Sequence, residues 1–185
     1  MSQQLDALSL LKRDHEIVKE LMTRVTASER DRTAATSMFE QLVDDLSIHE
    51  RIEEEIFYPA LRSHKEAKED VLEAFEEHHL VDEIIDELDD VTPDDARWPA
   101  KFTVLRENVE HHIKDEEEKL FPKAERILGR EKLAELGAQM ADMKEAEQQA
   151  LLEQETEDEV EASPASAREE SGARKTPTGG SKKKR

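Results

Sequence analysis

The chain has 185 residues, of which 40% are charged and 4% aromatic, with a formal net charge of −20 and no cysteine. A chain of this length is typically one domain, and the lack of cysteine excludes disulfides, thiolate chemistry and iron–sulfur ligation by these residues. The acidic balance argues against nucleic acid or an anionic membrane as a partner of the main domain.

The sequence contains neither a membrane-spanning pattern nor a secretion signal. Every apolar run is shorter than the roughly 20 residues that a membrane-spanning helix needs. The segment 1–11 is too short and too polar for a secretion signal. We therefore expect a cytoplasmic protein that does not bind a membrane.

Four amphipathic helices are predicted from apolar residues that recur at three- and four-residue steps. They cover about 5–28, 33–59, 68–89 and 98–128, and Gly129 is a natural end for the last of them. Helices joined by short connections pack as an antiparallel, up-down-up-down four-helix bundle. The predicted fold class is therefore all-α, with the bundle formed by residues 1–128.

A fifth amphipathic helix is predicted over 129–154, and its apolar stripe either covers the bundle or pairs with a second subunit as a homodimer. Residues 155–185 have the composition of a disordered tail, and they end in a basic cluster. We interpret that cluster as solubilising, in preference to a contact with nucleic acid or an acidic partner. The stripe consists of Leu133, Leu136, Met140, Met143 and Leu151.

Two segments of the chain share one order of residues: a histidine, a glutamate four positions later, large apolar residues and then a proline. The pairs are His49 with Glu53 and His112 with Glu116. Residues four apart on a helix project from one face, so each pair offers a metal ion one nitrogen and one oxygen. A single pair is a weak signal in a chain with so many acidic residues.

An internal repeat gives these motifs more weight than either has alone. A two-helix unit used twice builds a bundle with approximate two-fold symmetry. Two facing hairpins would bring their polar residues together in the interior. The pairs that share one sequence separation are His15 and His78, Phe39 and Phe102, His49 and His112, Glu53 and Glu116, and Pro59 and Pro122.

The helical pattern also separates inward from outward histidines. His78 shares a face with Phe75 and Val81, whereas its neighbour His79 is surrounded by acidic residues. The same reasoning places His112 inside the bundle.

Two interpretations remain for four inward histidines and two inward glutamates. They are either core residues hydrogen-bonded to one another or the ligands of two metal ions. We favour the metal, because burying these groups without a cation costs several kcal/mol. Nitrogen and oxygen ligands without sulfur suit iron, and also manganese or zinc. The candidate ligands are His15, His49, Glu53, His78, His112 and Glu116.

These residues resemble the hemerythrin-like, or HHE cation-binding, domain family. The resemblance implies two non-haem iron ions as the cofactor, with the four histidines as terminal ligands and the two glutamates as bridges. It also implies that coordination positions stay open for O2 or for another small molecule such as peroxide or NO. The matching segments are Asp14-His15-Glu16, His49-Glu50, Glu53-Glu54, Phe57-Tyr58-Pro59, Glu77-His78, His112, Glu116-Glu117 and Leu120-Phe121-Pro122.

One position departs from the oxygen-carrying members of that family. They have a fifth histidine one turn from the ligand on the third helix, where this chain has Asp82 on one side of His78 and Ala74 on the other. Glu50 is a candidate for a substitute ligand. An extra carboxylate favours ferric iron, and with it redox chemistry, sensing or iron handling over reversible oxygen carriage.

Three functions compete at this point. The first is a di-iron protein that binds O2, peroxide or NO as a sensor, carrier or scavenger. The second is a di-iron enzyme of the catalase or peroxidase type, for which the sequence contains no evident free catalytic base. The third is a metal-free helical interaction module that uses the fifth helix and the tail. We favour the first, and the sequence leaves open whether the chain is an enzyme.

Overall fold

The computed structural model describes residues 5–28, 31–92 and 95–162. Helices account for all of the regular structure in these ranges, and none of these helices is both long and apolar enough to cross a membrane. The elements in chain order are α1 (Ala7–Ala27), α2 (Arg32–Ile52), π1 (Glu53–Phe57), α3 (Tyr58–Leu61), α4 (Lys68–Asp89), α5 (Trp98–Asp115), π2 (Glu116–Leu120) and α6 (Phe121–Ala162).

The helices form the antiparallel four-helix bundle that the sequence predicted. α1 packs against α2 as one hairpin, α4 packs against α5 as the other, and α1 also contacts α5. The first two helices begin at aspartate caps: Asp6 accepts a hydrogen bond from the Ser9 amide at 2.9 Å, and Asp31 accepts one from the Ala34 amide at 3.3 Å. The predicted all-α fold class is therefore confirmed.

The sequence did not predict two π-helical turns, one in each half of the repeat. Each turn begins at the glutamate of the His-x-x-x-Glu motif, and each is followed by a proline, Pro59 or Pro122. A proline has no amide hydrogen for an α-helical bond four residues back, so the helix before it must pair its carbonyls differently. Both helices continue past the proline: the second ends at Leu61, soon after Pro59 as the sequence predicted, whereas α6 continues to Ala162.

The interior of the bundle has two apolar clusters with a polar layer between them. Along α1, for example, Leu11 belongs to one cluster and Val18 to the other, and His15 lies between them. The cluster on the Val18 side includes Met22, Leu42, Leu105 and Val109, and the cluster on the Leu11 side includes Ile52, Phe57, Leu120 and Met140.

The helix α6 is interrupted at Gly129, as the sequence predicted, and the chain is helical on both sides of this residue. Gly129 has φ 70° and ψ 170°, a conformation that only glycine adopts readily. Leu133, Leu136 and Met140 are buried in the cluster that contains Leu11. Of the two roles considered for this stripe, these three residues therefore cover the bundle.

The chain divides into two compact units, Met1–Glu147 and Gln148–Arg185. In the second unit, α6 continues to Ala162, so the helix is longer than the predicted end at residue 154. Glutamate, the commonest residue of this stretch, is a good helix former, and Thr156 Oγ1 donates to the Glu153 carbonyl at 2.8 Å. The remainder of the predicted tail, residues 163–185, lies outside the described part of the chain.

We predict that Gly137→Ala destabilises the fold, because α6 lies against the backbone at the start of α1 at Gly137. A Cβ atom there would press on the Leu5 carbonyl oxygen and would lie 2.7 Å from the Ala7 amide nitrogen. Relief requires movement of the backbone, so we expect the free energy of unfolding to fall by about 1–3 kcal/mol in urea denaturation. Gln139→Ala, on the exposed side of the same helix, is the control and should change stability little. Equal effects of the two substitutions would contradict the close packing.

Candidate metal centre

The six side chains proposed as ligands meet in the polar layer at the middle of the bundle. Each is at most 5% exposed. Each of the four helices of the bundle contributes to the layer. His15 comes from α1 and His78 from α4, while the two His-x-x-x-Glu pairs come from the α2–π1 and α5–π2 junctions. The structure therefore brings together residues that are distant in the sequence.

The ligand atoms form two groups that share Glu53. In the first group, the atoms of His15, His49, Glu53 and Glu116 all lie within 4.8 Å of one another. The second group joins Glu53 to His78 and His112 by the same criterion. The two histidines of the first hairpin thus lie in one group, and those of the second hairpin lie in the other.

Each central carboxylate lies between a histidine of one hairpin and a histidine of the other. Glu53 Oε2 lies 3.3 Å from His49 Nε2 and 3.4 Å from His78 Nε2. Glu116 Oε2 lies 3.2 Å from His15 Nε2 and 3.6 Å from His112 Nε2. Each carboxylate therefore contacts histidines of both hairpins.

Three of the histidines hold the other ring nitrogen, Nδ1, against an outer carboxylate. A carboxylate accepts hydrogen bonds, so this contact places a proton on Nδ1 and directs Nε2 into the centre. Such outer carboxylates orient metal-binding histidines in proteins. The pairs are His15 with Glu117 at 2.8 Å, His78 with Glu54 at 2.9 Å and His112 with Glu77 at 2.9 Å.

His49 has a different and looser support. Its Nδ1 lies 3.9 Å from Asp14 Oδ2, and Lys144 of α6 pairs with the other oxygen of Asp14. Burial raises the pKa of Asp14, but His49 and Lys144 outweigh it and hold that pKa below its ordinary value. The helix after Gly129 therefore contributes a positively charged side chain, Lys144, to the surroundings of the centre.

Several polar atoms in the centre are buried without a hydrogen-bond partner. They include His15 Nε2, His49 Nε2, Glu53 Oε1 and Glu116 Oε2. Leaving such an atom unsatisfied costs about 1–3 kcal/mol, and here lone pairs of nitrogen and oxygen face one another. A cation between them removes this cost, and a donor set of imidazole and carboxylate suits iron, manganese or zinc. The residues therefore fit a pair of metal ions.

The charges of the layer depend on one another. Burial and the neighbouring Glu116 raise the pKa of Glu53 well above its ordinary value. Burial lowers the pKa of His49 to about 4, whereas Glu53 and Glu54 outweigh burial at His78 and raise its pKa to about 11. Protons thus balance the carboxylates when no cation is bound, and a metal ion that binds must displace them.

Tyr58 lies at the centre, although the sequence analysis did not single it out as a site residue. Its side chain is fully buried, and its hydroxyl donates to Glu116 Oε1 at 2.9 Å. The hydroxyl oxygen of Tyr58 also lies 3.3 Å from Glu53 Oε2 and 3.4 Å from His78 Nε2. The repeat could have indicated this residue, because the corresponding position in the second half is Phe121, which lacks the hydroxyl group.

A small apolar cavity adjoins the four histidines. It has room for about one water-sized molecule. Glu50, which the sequence suggested as an extra ligand, lines this cavity and belongs to neither group of ligand atoms. Burial, with Asp82 and Glu54 nearby, raises the pKa of Glu50 to about 8. The apolar lining consists of Val18, Leu46, Val81, Val109 and Ile113.

We predict that Lys144→Met weakens both the fold and cation binding. The substitution leaves the buried carboxylate of Asp14 without its cation, so we expect a loss of about 1–3 kcal/mol in the free energy of unfolding. Because its pKa is lowered in the fold, Asp14 stabilises fully above its unfolded value of 3.8, and this contribution is lost as the pH falls through the folded value. The comparison therefore belongs at pH 7, with Lys144→Arg expected to retain most of the effect.

The control for this prediction is Lys132→Met, which removes an exposed lysine of the same helix that pairs with Glu135 at 2.9 Å. Exposed pairs contribute little, so this variant should behave like the wild type. Urea denaturation and titration of the ion-free protein with Fe²⁺ measure the two effects. A wild-type affinity in Lys144→Met would show that Asp14 does not need the lysine to support His49.

Comparisons with known proteins identify a family and several relatives that this chain resembles. Residues 6–124 match the Hemerythrin HHE cation binding domain. An uncharacterized protein of Mycobacterium tuberculosis (strain H37Rv) is 28% identical over 141 residues, which cover 74% of this chain and 84% of that protein. A DNA nickase of Nostoc sp. (strain PCC 7120) is 26% identical over 119 residues, which cover 64% of this chain but only 33% of the nickase.

A solved structure resembles this one in fold. The crystal structure of a Hemerythrin HHE cation binding domain-containing protein from Mycobacterium kansasii matches with a TM-score of 0.73. The match covers 80% of this chain and 90% of that one, at 24% identity. Together with the family match, which spans more than half of the sequence, this agreement leads to one conclusion. The chain belongs to the hemerythrin HHE cation-binding domain family.

Proposed function

We propose that the chain is a non-haem di-iron protein that binds O2 or a related small oxidant, such as peroxide or NO, as a sensor, carrier or scavenger in the cytoplasm. One observation carries the proposal. Four histidines and two carboxylates converge in a buried layer with their lone pairs directed at one another, beside a cavity that admits only a very small molecule.

The two hairpins would each hold one ion. His15 and His49 would bind the first and His78 and His112 the second, while Glu53 and Glu116 would be shared. Bound iron supplies redox chemistry toward O2 or peroxide at positions that the protein leaves open. The donor set by itself also admits manganese or zinc, so metal analysis decides the identity.

The cavity supports a small ligand in preference to a larger substrate. Its walls are aliphatic apart from the histidines and Glu50, and its size is that of a single water molecule. An apolar wall favours a neutral molecule over a charged one, since a charge would lose its hydration there. Small neutral oxidants meet both conditions.

A second candidate, an enzyme of the catalase or peroxidase type, is favoured by Glu50. A carboxyl group with a pKa of about 8 holds its proton at neutral pH, and Glu50 lines the cavity where the small molecule would bind. A buried acid with a pKa near the working pH is suited to general acid–base catalysis. Tyr58 adds a second buried O–H group next to the carboxylates.

We also propose that the main domain does not bind nucleic acid, because the net charge of −20 repels DNA. Nickase activity is not extended to this chain, which spans only 33% of the nickase. A homodimer through the fifth helix would have to rely on what its buried stripe leaves free, such as Leu152, which is 61% exposed.

We predict that the chain from iron-replete cells contains two iron ions. The aerobic protein should absorb in the near ultraviolet through ligand-to-iron charge transfer, and azide should change this absorption. Glu53→Ala removes a ligand that both groups share, so most of the iron and the band should be lost. His79→Ala, which removes an exposed histidine of α4, should retain both. Wild-type protein without iron, or with zinc alone, would contradict the proposal.

We predict that a large excess of peroxide is not turned over by the wild-type protein, because the proposed function is binding. An oxygen electrode measures this directly. Sustained O2 evolution that falls about a hundredfold in Glu50→Gln, at unchanged iron content, would instead establish the enzyme and the role of Glu50 as its acid. Glu55→Gln is a matched control, since Glu55 is exposed, pairs with Arg51 and does not line the cavity.

A further inference from the structure

A second cleft reaches the centre from another side of the bundle, between α4 and the α5–π2 junction. Its outer end includes Glu73, which is exposed, and its inner end is Glu116, which is 2% exposed. The cleft therefore runs from the surface to a central carboxylate. Its polar lining consists of Asp70, Glu73, Glu77, Asp115, Glu116 and Lys119.

The charges along this cleft are mostly negative. Lys119 pairs with Asp115, and Lys123 at the edge pairs with Asp70. The pKa of Lys119 is raised by Asp115 first, and Glu73 and Glu77 add to the effect, which shows that the potential around it is negative. A cleft lined by one sign of charge concentrates counter-ions and accelerates their association.

Two lining residues of the cleft, Glu77 and Asp115, form with the exposed His111 a group that could hold a cation before it reaches the interior. Ligand atoms of Glu77, His111 and Asp115 lie within 4.8 Å of one another. Glu77 Oε1 lies 3.6 Å from His111 Nε2, while Glu77 Oε2 lies 2.9 Å from Nδ1 of the candidate ligand His112. Glu77 therefore contacts both the outer group and the centre.

The inner end of the cleft has an unsatisfied acceptor. Glu116 Oε2 is buried without a hydrogen-bond partner and lies beside His15 and His112, so a cation that passes along the cleft would meet the centre at this carboxylate. The cavity beside the four histidines is unsuited to an ion because its walls are aliphatic. The cleft and the cavity thus differ in chemistry, one acidic and the other apolar.

We propose that the acidic cleft is the route by which a divalent cation enters the centre, with Glu77, His111 and Asp115 as its first binding site. A small neutral oxidant reaches the centre through the apolar cavity instead. The inference rests on the proposed function for the identity of the cation, Fe²⁺, and on the geometry of the cleft for the route.

The test is the rate at which the full-length, ion-free protein takes up Fe²⁺ without oxygen, measured by chelator quench at successive times. Glu73→Lys reverses a charge at the mouth and should slow uptake by roughly tenfold at low salt. The final iron content should equal that of the wild type, because Glu73 belongs to neither central group. Salt should slow the wild type more than the variant, because it screens the field of the cleft. Glu73→Gln should have an intermediate rate.

Glu20→Lys is the matched control, because it makes the same charge change at an exposed glutamate of α1, away from the cleft. Its uptake should be close to the wild-type rate. Equal rates for Glu73→Lys and the wild type, or equal slowing in Glu73→Lys and Glu20→Lys, would overturn the proposed route and leave the di-iron proposal intact. Failure of the wild type to bind any iron would overturn both.

Discussion

The whole fold is arranged around six buried groups whose lone pairs converge. Imidazole nitrogens and carboxylate oxygens in a dry interior repel one another unless a proton or a metal ion lies between them. Apolar clusters on both sides, which contain Leu11 and Val18 respectively, keep water away from the layer. The same burial that makes this layer unfavourable without cations makes it selective for them. Protons on His78 and Glu53 are the substitute when no ion is bound.

The approximate two-fold repeat explains how one short chain builds so symmetric a layer. The outer carboxylates obey it as well as the candidate ligands: Asp14 corresponds to Glu77, and Glu54 corresponds to Glu117. One departure has a visible consequence. Aspartate is one methylene shorter than glutamate, and Asp14 stays 3.9 Å from His49, whereas Glu77 comes within 2.9 Å of His112. Lys144 of α6 compensates for the longer distance between Asp14 and His49, because its ion pair holds the Asp14 carboxylate in place.

Sequence periodicity was sufficient for the helices and for most of the centre. His78 could be told from His79 because a helix has an inner and an outer face, and the repeat selected Glu53 and Glu116 from many acidic residues. The π turns, the contact of Lys144 and the position of the Tyr58 hydroxyl were not predictable in this way. Each depends on how separate segments meet, and periodicity within one helix contains no information about that.

The places where the repeat fails are the places where chemistry would be expected. The candidate ligands obey the repeat, with two histidines and one glutamate from each half of the chain. Glu50 corresponds to Ile113 and Tyr58 to Phe121, so in each case the first half has a polar group where the second is apolar. Glu50 and Ile113 line the same cavity, so part of its lining holds a proton and another part is apolar. A neutral oxidant in that cavity would meet two different environments, and this asymmetry, which a pure metal store would not need, is the reason to connect the centre with small-molecule chemistry.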